Sequence, residues 1–312
     1  MRVAVMAAGA VGGYFGARLA AAGHDVVFIA RGAHHDAIRR HGLRIESGLG
    51  DLHLTDVHVT DDPGRAGPAE VVLFAVKLWD TEEAAERARP LVSSGTRVIT
   101  LQNGVDSVER LVPILGDEVT VGGATYVVAR IAGPGLIRHT GTTAQIRCGR
   151  LDRRADRVLA GYVEQMRAAG IDITLSEQML LDIWKKFVLL SGTSGITAGS
   201  RQPLGVVRDD EDMRAFFWRL MQETVAVGRA HGVAFPADFA AELDRAVAQF
   251  PPTMKASMAN DLEAGNRLEL DWLAGKVVAL GRRYGVTTAA HEAVYALLKP
   301  YRMGRRSQDG FR

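Results

Sequence analysis

A single cysteine, Cys148, stands among 312 residues. No intramolecular disulfide can form, which fits a reducing compartment. One thiol cannot build a thiolate metal site, and the nine histidines include no H-x-x-x-H pair. Metal catalysis is therefore not expected. An excess of one charge is also missing. Thirty-eight Lys+Arg face 36 Asp+Glu, a net of +2, so no footprint for nucleic acid is present. A small anionic substrate needs only a local cluster of positive groups. No apolar run approaches the roughly 20 residues a membrane helix requires, and Val71 to Val76 is of strand length. The opening Met1-Arg2-Val3-Ala4-Val5-Met6 is too short for a signal peptide. A soluble cytoplasmic protein without a membrane or nucleic-acid partner is expected. With 47% hydrophobic and 24% charged residues the chain is globular rather than disordered, and its length accommodates two domains.

The first half alternates apolar runs with helical stretches. Val3 to Met6, Val26 to Ala30, Val71 to Val76, Arg97 to Leu101 and Val119 to Val121 are strand candidates. Val11 to Ala22, closed by Gly23, and Asp106 to Leu115 are helix candidates. Strands alternating with helices imply parallel βαβ units. Leu136 to His139 and Ala144 to Cys148 flank Thr140-Gly141-Thr142-Thr143 and are expected to form an antiparallel hairpin. Arg153 to Ala169 is helical, and from Ser176 the strand signal disappears. Asp212 to His231, Phe239 to Phe250, Met258 to Ala264, Glu269 to Tyr284 and His291 to Leu298 then follow as helices. The Arg-rich tail after Pro300 is expected to fray. The spacing gives an α/β fold: an N-terminal parallel-sheet domain of the Rossmann type over 1–175, then an all-helical domain over 176–312. The apolar length of Met213 to Val227 leaves a homodimer through the helical domain open.

Between the first strand and the first helix lies Ala7-Ala8-Gly9-Ala10-Val11-Gly12, with Gly16 further along. A pyrophosphate approaching the backbone at a helix N-terminus needs small residues there. Gly9 allows that approach, and Gly12 and Gly16 allow the helix to pack close to the strands. Ala7 replaces the first glycine of G-x-G-x-x-G, at a cost of about 1 kcal/mol if its φ must be positive and little otherwise. The second strand ends at Arg31 rather than Asp or Glu, which favours the 2′-phosphate of NADP(H) over NAD; the alternative is a solvated loop arginine. Lys77 and Asn103 follow two further strands and are expected to reach the cofactor edge. Their alternatives are a solvated strand end and a helix cap.

Together with Val76-Lys77, Gln102-Asn103-Gly104, Trp184-Lys185-Lys186-Phe187 and Glu269-Leu270-Asp271, these motifs resemble the ketopantoate reductase family over nearly the whole chain. The resemblance implies an NADPH-binding Rossmann domain and a helical domain that supplies the proton when ketopantoate is reduced to pantoate, a step of pantothenate biosynthesis. It assigns Lys186 as the catalytic lysine and Glu269 as the glutamate near substrate and cofactor. It assigns Asn103 to both nicotinamide and substrate, Ser257 to substrate, and the Val128 backbone to the nicotinamide. The chain departs from the family where substrate is expected: Leu190, Ser194 and Leu204 replace asparagines, and of these Ser194 is retained as a substrate contact. Trp272-Leu273-Ala274-Gly275 lacks another asparagine.

Reducing a ketone takes a hydride and a proton. The cofactor brings the hydride, and an ammonium is suited to stabilising and protonating the developing alkoxide. Lys185 and Lys186 point about 100° apart on a helix, and Ile183, Phe187 and Leu190 do not decide between them. Glu269 is either the partner of Lys186 or a first-turn acid. Ser257 is either a carboxylate ligand or an N-cap. The expected activity is reduction of a 2-oxo acid, with ketopantoate foremost. The alternatives are a more apolar 2-oxo acid on the same machinery, favoured by Leu190 and Leu204, or a non-catalytic NADP(H) sensor, disfavoured by Lys186 and Glu269.

Overall fold

The computed structural model describes residues 1–305 and divides into two compact units, Met1–Asp182 and a second beginning at Ile183. The first contains β1 (Arg2–Met6), α1 (Ala10–Ala21), β2 (Asp25–Ile29), α2 (Gly32–His41), β3 (Leu43–Ser47), β4 (Leu52–Leu54) and β5 (His58–Thr60). It continues with β6 (Val71–Phe74), α3 (Thr81–Ala88), β7 (Arg97–Thr100), α4 (Ser107–Leu115), β8 (Thr120–Gly133), β9 (Leu136–Gly149), α5 (Arg157–Ala168) and β10 (Asp172–Leu175). The strands form one sheet in the order β4-β3-β9-β8-β7-β6-β1-β2-β5, with β10 against β9. Only β8–β9 and β3–β4 pair antiparallel among the described residues.

Alternation along the central strands feeds two apolar layers. Val3, Val5, Val71 and Leu73 join one cluster, which includes Tyr14, Phe15 and Leu19 of α1. Ala4, Met6, Val72 and Phe74 join the other, with Ala84, Ala85 and Ala88 of α3 and Leu111 of α4. The sheet is thus covered on both faces, as a doubly wound fold requires.

One expected feature is corrected. Leu136–His139 and Ala144–Cys148 are not the two arms of a hairpin; both belong to β9, which pairs along β8 from Gly122↔Gly149 to Gly133↔Leu136. The tight turn is Pro134-Gly135, where Gly135 takes φ +73°. Residues 140–143 bulge out of the ladder, because Val127 pairs with Ala144 and Ala129 already with His139.

Helix α6 (Met179–Ser200) leads into the second unit, followed by α7 (Leu204–Asp209), α8 (Glu211–Ala230), α9 (Phe239–Gln249), α10 (Ser257–Ala264), α11 (Ala274–Tyr284) and α12 (Ala289–Leu298). No strand lies beyond Leu175 among the described residues. The stripe Phe217, Leu220, Met221, Thr224, Val227 of α8 is buried within the chain. The small residues of α6 permit close helix packing: a Cβ on Gly192 would lie 2.7 Å from Met221 Cγ, and one on Gly195 3.2 Å from Leu220 Cδ1. The tail does not fray immediately after Pro300. Leu268 N donates to Arg302 O at 2.9 Å, and Arg305 N to Gly265 O at 2.9 Å. The rest of the tail, 306–312, lies outside the described residues.

Candidate active site

Four parallel strands of the first unit end level with one another. Met6 pairs with Ile29 and with Phe74, and Phe74 with Thr100. The order β7-β6-β1-β2 then sets four connections side by side: Leu101–Asn103, Ala75–Lys77, Ala7–Gly9 and Ala30–Arg31. On one side of β1 lie β2 and β5, and from β5 the chain passes to β6 on the other side of β1. That reversal is the switch point at which open α/β sheets bind ligands.

The glycine turn has the shape its composition calls for. Gly9 caps α1 in an extended conformation, and a Cβ there would meet nothing within 4 Å. A Cβ on Gly12 would collide with the Ala7 carbonyl oxygen and lie 2.9 Å from Val5 Cγ1; one on Gly16 would lie 2.6 Å from Val5 Cγ2. Gly9 therefore keeps an approach open, while Gly12 and Gly16 bring α1 onto the strands. Among the described residues the non-glycine positions with positive φ are Arg153 and Arg201, so Ala7 stands without that penalty. Ala8 is buried, and Ala10 and Val11 open α1 half-buried.

Arg31 closes the short connection between β2 and α2. It is the exposed N-cap residue of α2, 3.9 Å from Glu83. Lys77 is exposed, with its Nζ 5.5 Å from the Trp79 ring centroid. Asn103 is half-buried and does not cap α4, whose N-cap is Asp106. Sequence reasoning gave no role to Gln102, yet this buried amide donates to Val76 O at 3.1 Å and Thr81 Oγ1 at 2.8 Å. It thereby ties the Lys77 connection to that of Asn103. Val128 is 60% exposed, beside the register shift between Val127 and Ala129.

In the second unit the structure separates the two neighbouring lysines. Lys185 Nζ donates to both Glu242 oxygens, at 3.0 and 2.7 Å, and lies over the Phe239 ring. Lys186 is different. Part of the residue is accessible, yet burial of its ammonium pushes the pKa down to about 8, against an opposing pull from the Glu269 carboxylate. Glu269 is 6% exposed. It is not a first-turn acid of α11; it caps a short 3₁₀ turn, Leu270–Trp272, and its carbonyl accepts from Trp272 N and Leu273 N at 3.1 Å each. Asp271 is engaged elsewhere, accepting a hydrogen bond from Tyr295 Oη at 2.7 Å.

The N-cap of α10 is Ala256, so Ser257 is not spent as a cap, and it is exposed. Ser194 is fully buried, and its Oγ has no hydrogen-bond partner among the described residues. Leu190 is half-buried on α6. Leu204 is fully buried and belongs to the packing of α7.

A doubly wound sheet with an open glycine turn, followed by a helical unit that buries a lysine near a glutamate, is the architecture of a two-domain oxidoreductase. Residues 3–153 match the family described as ketopantoate reductase PanE/ApbA, and residues 178–302 match its C-terminal part. The chain belongs to the ketopantoate reductase family. It is 30% identical to the 2-dehydropantoate 2-reductase of Mesorhizobium japonicum, over 96% of this chain and 97% of that one. The crystal structure of a PanE/ApbA family ketopantoate reductase from Ralstonia eutropha superposes with a TM-score of 0.88 at 34% identity, covering 97% of this chain and 98% of that one. D-mandelate dehydrogenase with NADH and anilino(oxo)acetate shares the fold, with a TM-score of 0.88 at 19% identity and coverage of 97% and 98%.

Proposed function

We propose that this chain reduces ketopantoate to pantoate with NADPH. The observation that carries the reading is the Lys186 ammonium set within the field of the buried Glu269 carboxylate; burial lowers its pKa to about 8, against the upward pull of Glu269. A general acid is most effective when its pKa lies near the working pH.

The residues fit a dinucleotide. The open space over Gly9 and the N-terminus of α1 suit a pyrophosphate. Ala7, Ala8, Ala10, Val11 and Gly12 supply the surrounding backbone, and Arg31 takes the 2′-phosphate. Lys77, Asn103 and the Val128 backbone serve the remainder of the cofactor. When bound, NADPH supplies the hydride. Lys186 holds the substrate oxygen, stabilises negative charge as it develops there, and gives up the proton. Glu269 keeps Lys186 protonated and accepts from a substrate hydroxyl. Asn103 and Ser257 hold the oxo-acid end. Ser194 is the third substrate contact: its buried Oγ has no hydrogen-bond partner among the described residues, and an unpaired buried hydroxyl costs about 1–3 kcal/mol.

The decisive assay follows NADPH absorbance as ketopantoate is added, with NADH as control. Loss of absorbance with NADPH, much faster than with NADH, is expected. No oxidation with ketopantoate sinks the reading. A second reading, a more apolar 2-oxo acid, rests on Leu190, which lies one helical turn beyond Lys186. Branched 2-oxo acids that lack the hydroxyl separate the two, since a site built around a hydroxyl rejects them strongly.

A further inference from the structure

His34 lies in the first turn of α2, three residues beyond Arg31. Its ring bridges two other segments of the first unit. Nε2 is 3.0 Å from the Ala8 carbonyl oxygen, and Nδ1 is 3.1 Å from the Gly135 backbone nitrogen. A carbonyl oxygen can only accept, and a backbone N–H can only donate. The two partners therefore fix one tautomer: Nε2 carries the hydrogen and Nδ1 accepts. Burial holds the His34 pKa below its ordinary value, which keeps the ring neutral and Nδ1 available.

Both partners are held from their other sides. Ala8 N donates to Ile29 O at 2.7 Å, so the Ala8 residue is pinned to the end of β2 through its own amide and to α2 through its carbonyl. Gly135 sits at φ +73°, and its carbonyl accepts from Arg44 N at 2.9 Å. The consequence lies in the next peptide unit. The Ala8–Gly9 peptide is trans, so its C=O and N–H point in opposite directions within one plane. Fixing the Ala8 oxygen on the imidazole fixes the direction of the Gly9 N–H, at the residue whose Cβ position is open.

We propose that His34 is a positioning residue for the cofactor: its Nε2–H orients the Ala8–Gly9 peptide so that the Gly9 N–H is preset for the dinucleotide pyrophosphate. The inference rests on the NADPH reading above. It assigns His34 no contact with substrate and no proton transfer.

The test compares NADPH binding, by fluorescence titration, with steady-state kinetics for the parent chain, His34→Leu and His34→Gln. His34→Leu removes both hydrogen bonds and is expected to raise the NADPH Kd roughly tenfold, the equivalent of one neutral hydrogen bond. The kcat at saturating NADPH and the KM for ketopantoate should stay at parent values. His34→Gln, whose amide N–H reaches toward the same carbonyl, should recover most of the affinity. An unchanged Kd in His34→Leu overturns the proposal, as does a His34→Gln variant as weak as His34→Leu. A loss shared equally by kcat overturns it too. If His34→Leu does not fold, the ¹⁵N pattern of the parent ring decides. Protonated Nε2 with bare Nδ1 supports the assignment, and the opposite tautomer or an imidazolium at neutral pH overturns it. Failure of the parent to bind NADPH overturns the cofactor reading itself; normal binding by the parent and both variants overturns only the role of His34.

Discussion

Lys186 and Lys185 differ by one position and by everything their charges meet. Lys185 is neutralised by Glu242, whereas Lys186 is held near a pKa of about 8, below its ordinary 10.5. In its proposed role as proton donor, Lys186 must be protonated for reduction. The rate of reduction should therefore be full below about pH 8 and fall as pH rises through that value. A plot of log kcat/KM against pH checks this, and a profile flat from neutrality to high alkalinity contradicts it. Glu269 raises the Lys186 pKa, so Glu269→Gln should move the falling limb to lower pH as well as slow the reaction. Lys186→Ala should remove turnover by roughly 10²–10⁴-fold while NADPH binding is largely retained. Near-normal turnover in that variant refutes the assignment. Cys148 is no competing nucleophile, since burial pushes its thiol up to about 12.

At the scale of elements, the glycine turn gives two contrasting substitutions. Gly12→Ala drives a Cβ into the Ala7 carbonyl and Val5, both part of the strand and turn that α1 packs on. It should destabilise the chain by about 1–3 kcal/mol, seen as a lower urea midpoint. Gly9→Ala meets open space and should fold like the parent, yet weaken NADPH because the new methyl occupies the approach to the backbone. Equal urea midpoints for the two variants would contradict this division. The same elements show what the sequence makes legible. Strands β1, β2, β6 and β7 are short apolar runs buried on both faces, and α1 is framed by Gly9 and Gly23; both patterns are visible without coordinates. Helix α2 is not, because Ile38 is its one buried residue and leaves no apolar period to read. Strands β3, β4 and β5 are three to five residues long with mixed exposure, which resembles loop composition. Thr140-Gly141-Thr142-Thr143 carries turn chemistry but serves as a bulge, since the longer ladder of β8 and β9 decides the pairing. At the site, choosing between the lysines needed Glu242, 57 residues away from Lys185, and the His34 bridge needed Gly135, 101 residues from it.

For the whole molecule the acid limit of stability is set in part by a buried histidine. His291 of α12 has its Nε2 2.9 Å from Thr224 Oγ1 and 3.0 Å from Leu220 O, and Thr224 Oγ1 is 2.9 Å from Ser191 Oγ. This chain joins α6, α8 and α12 in the centre of the second unit. The Glu223 carboxylate accepts from Ala290 N and His291 N, at 2.9 and 3.0 Å, and so caps the start of α12. Burial pushes the His291 pKa down from 6.5 to about 4. Between those values the unfolded chain binds the proton and the folded chain does not, so stability rises with pH across that window. The contribution is present in full above pH 6.5 and is lost as pH falls toward 4, a difference on the order of 3 kcal/mol. Carboxylates such as Asp156, where burial pushes the pKa up but Arg97 and the α5 N-terminal amides together bring it below its ordinary value, add their own losses in acid, so the parent curve alone does not isolate the histidine. Comparison with His291→Gln does. That variant should be less stable than the parent at pH 7.5, yet lose less between pH 6.5 and 4.5. Tryptophan fluorescence is the suitable probe, because Trp184, Trp218 and Trp272 lie in the second unit and Trp79 in the first. Urea midpoints of parent and variant that fall in parallel with pH would show that protonation of His291 plays no part in acid unfolding.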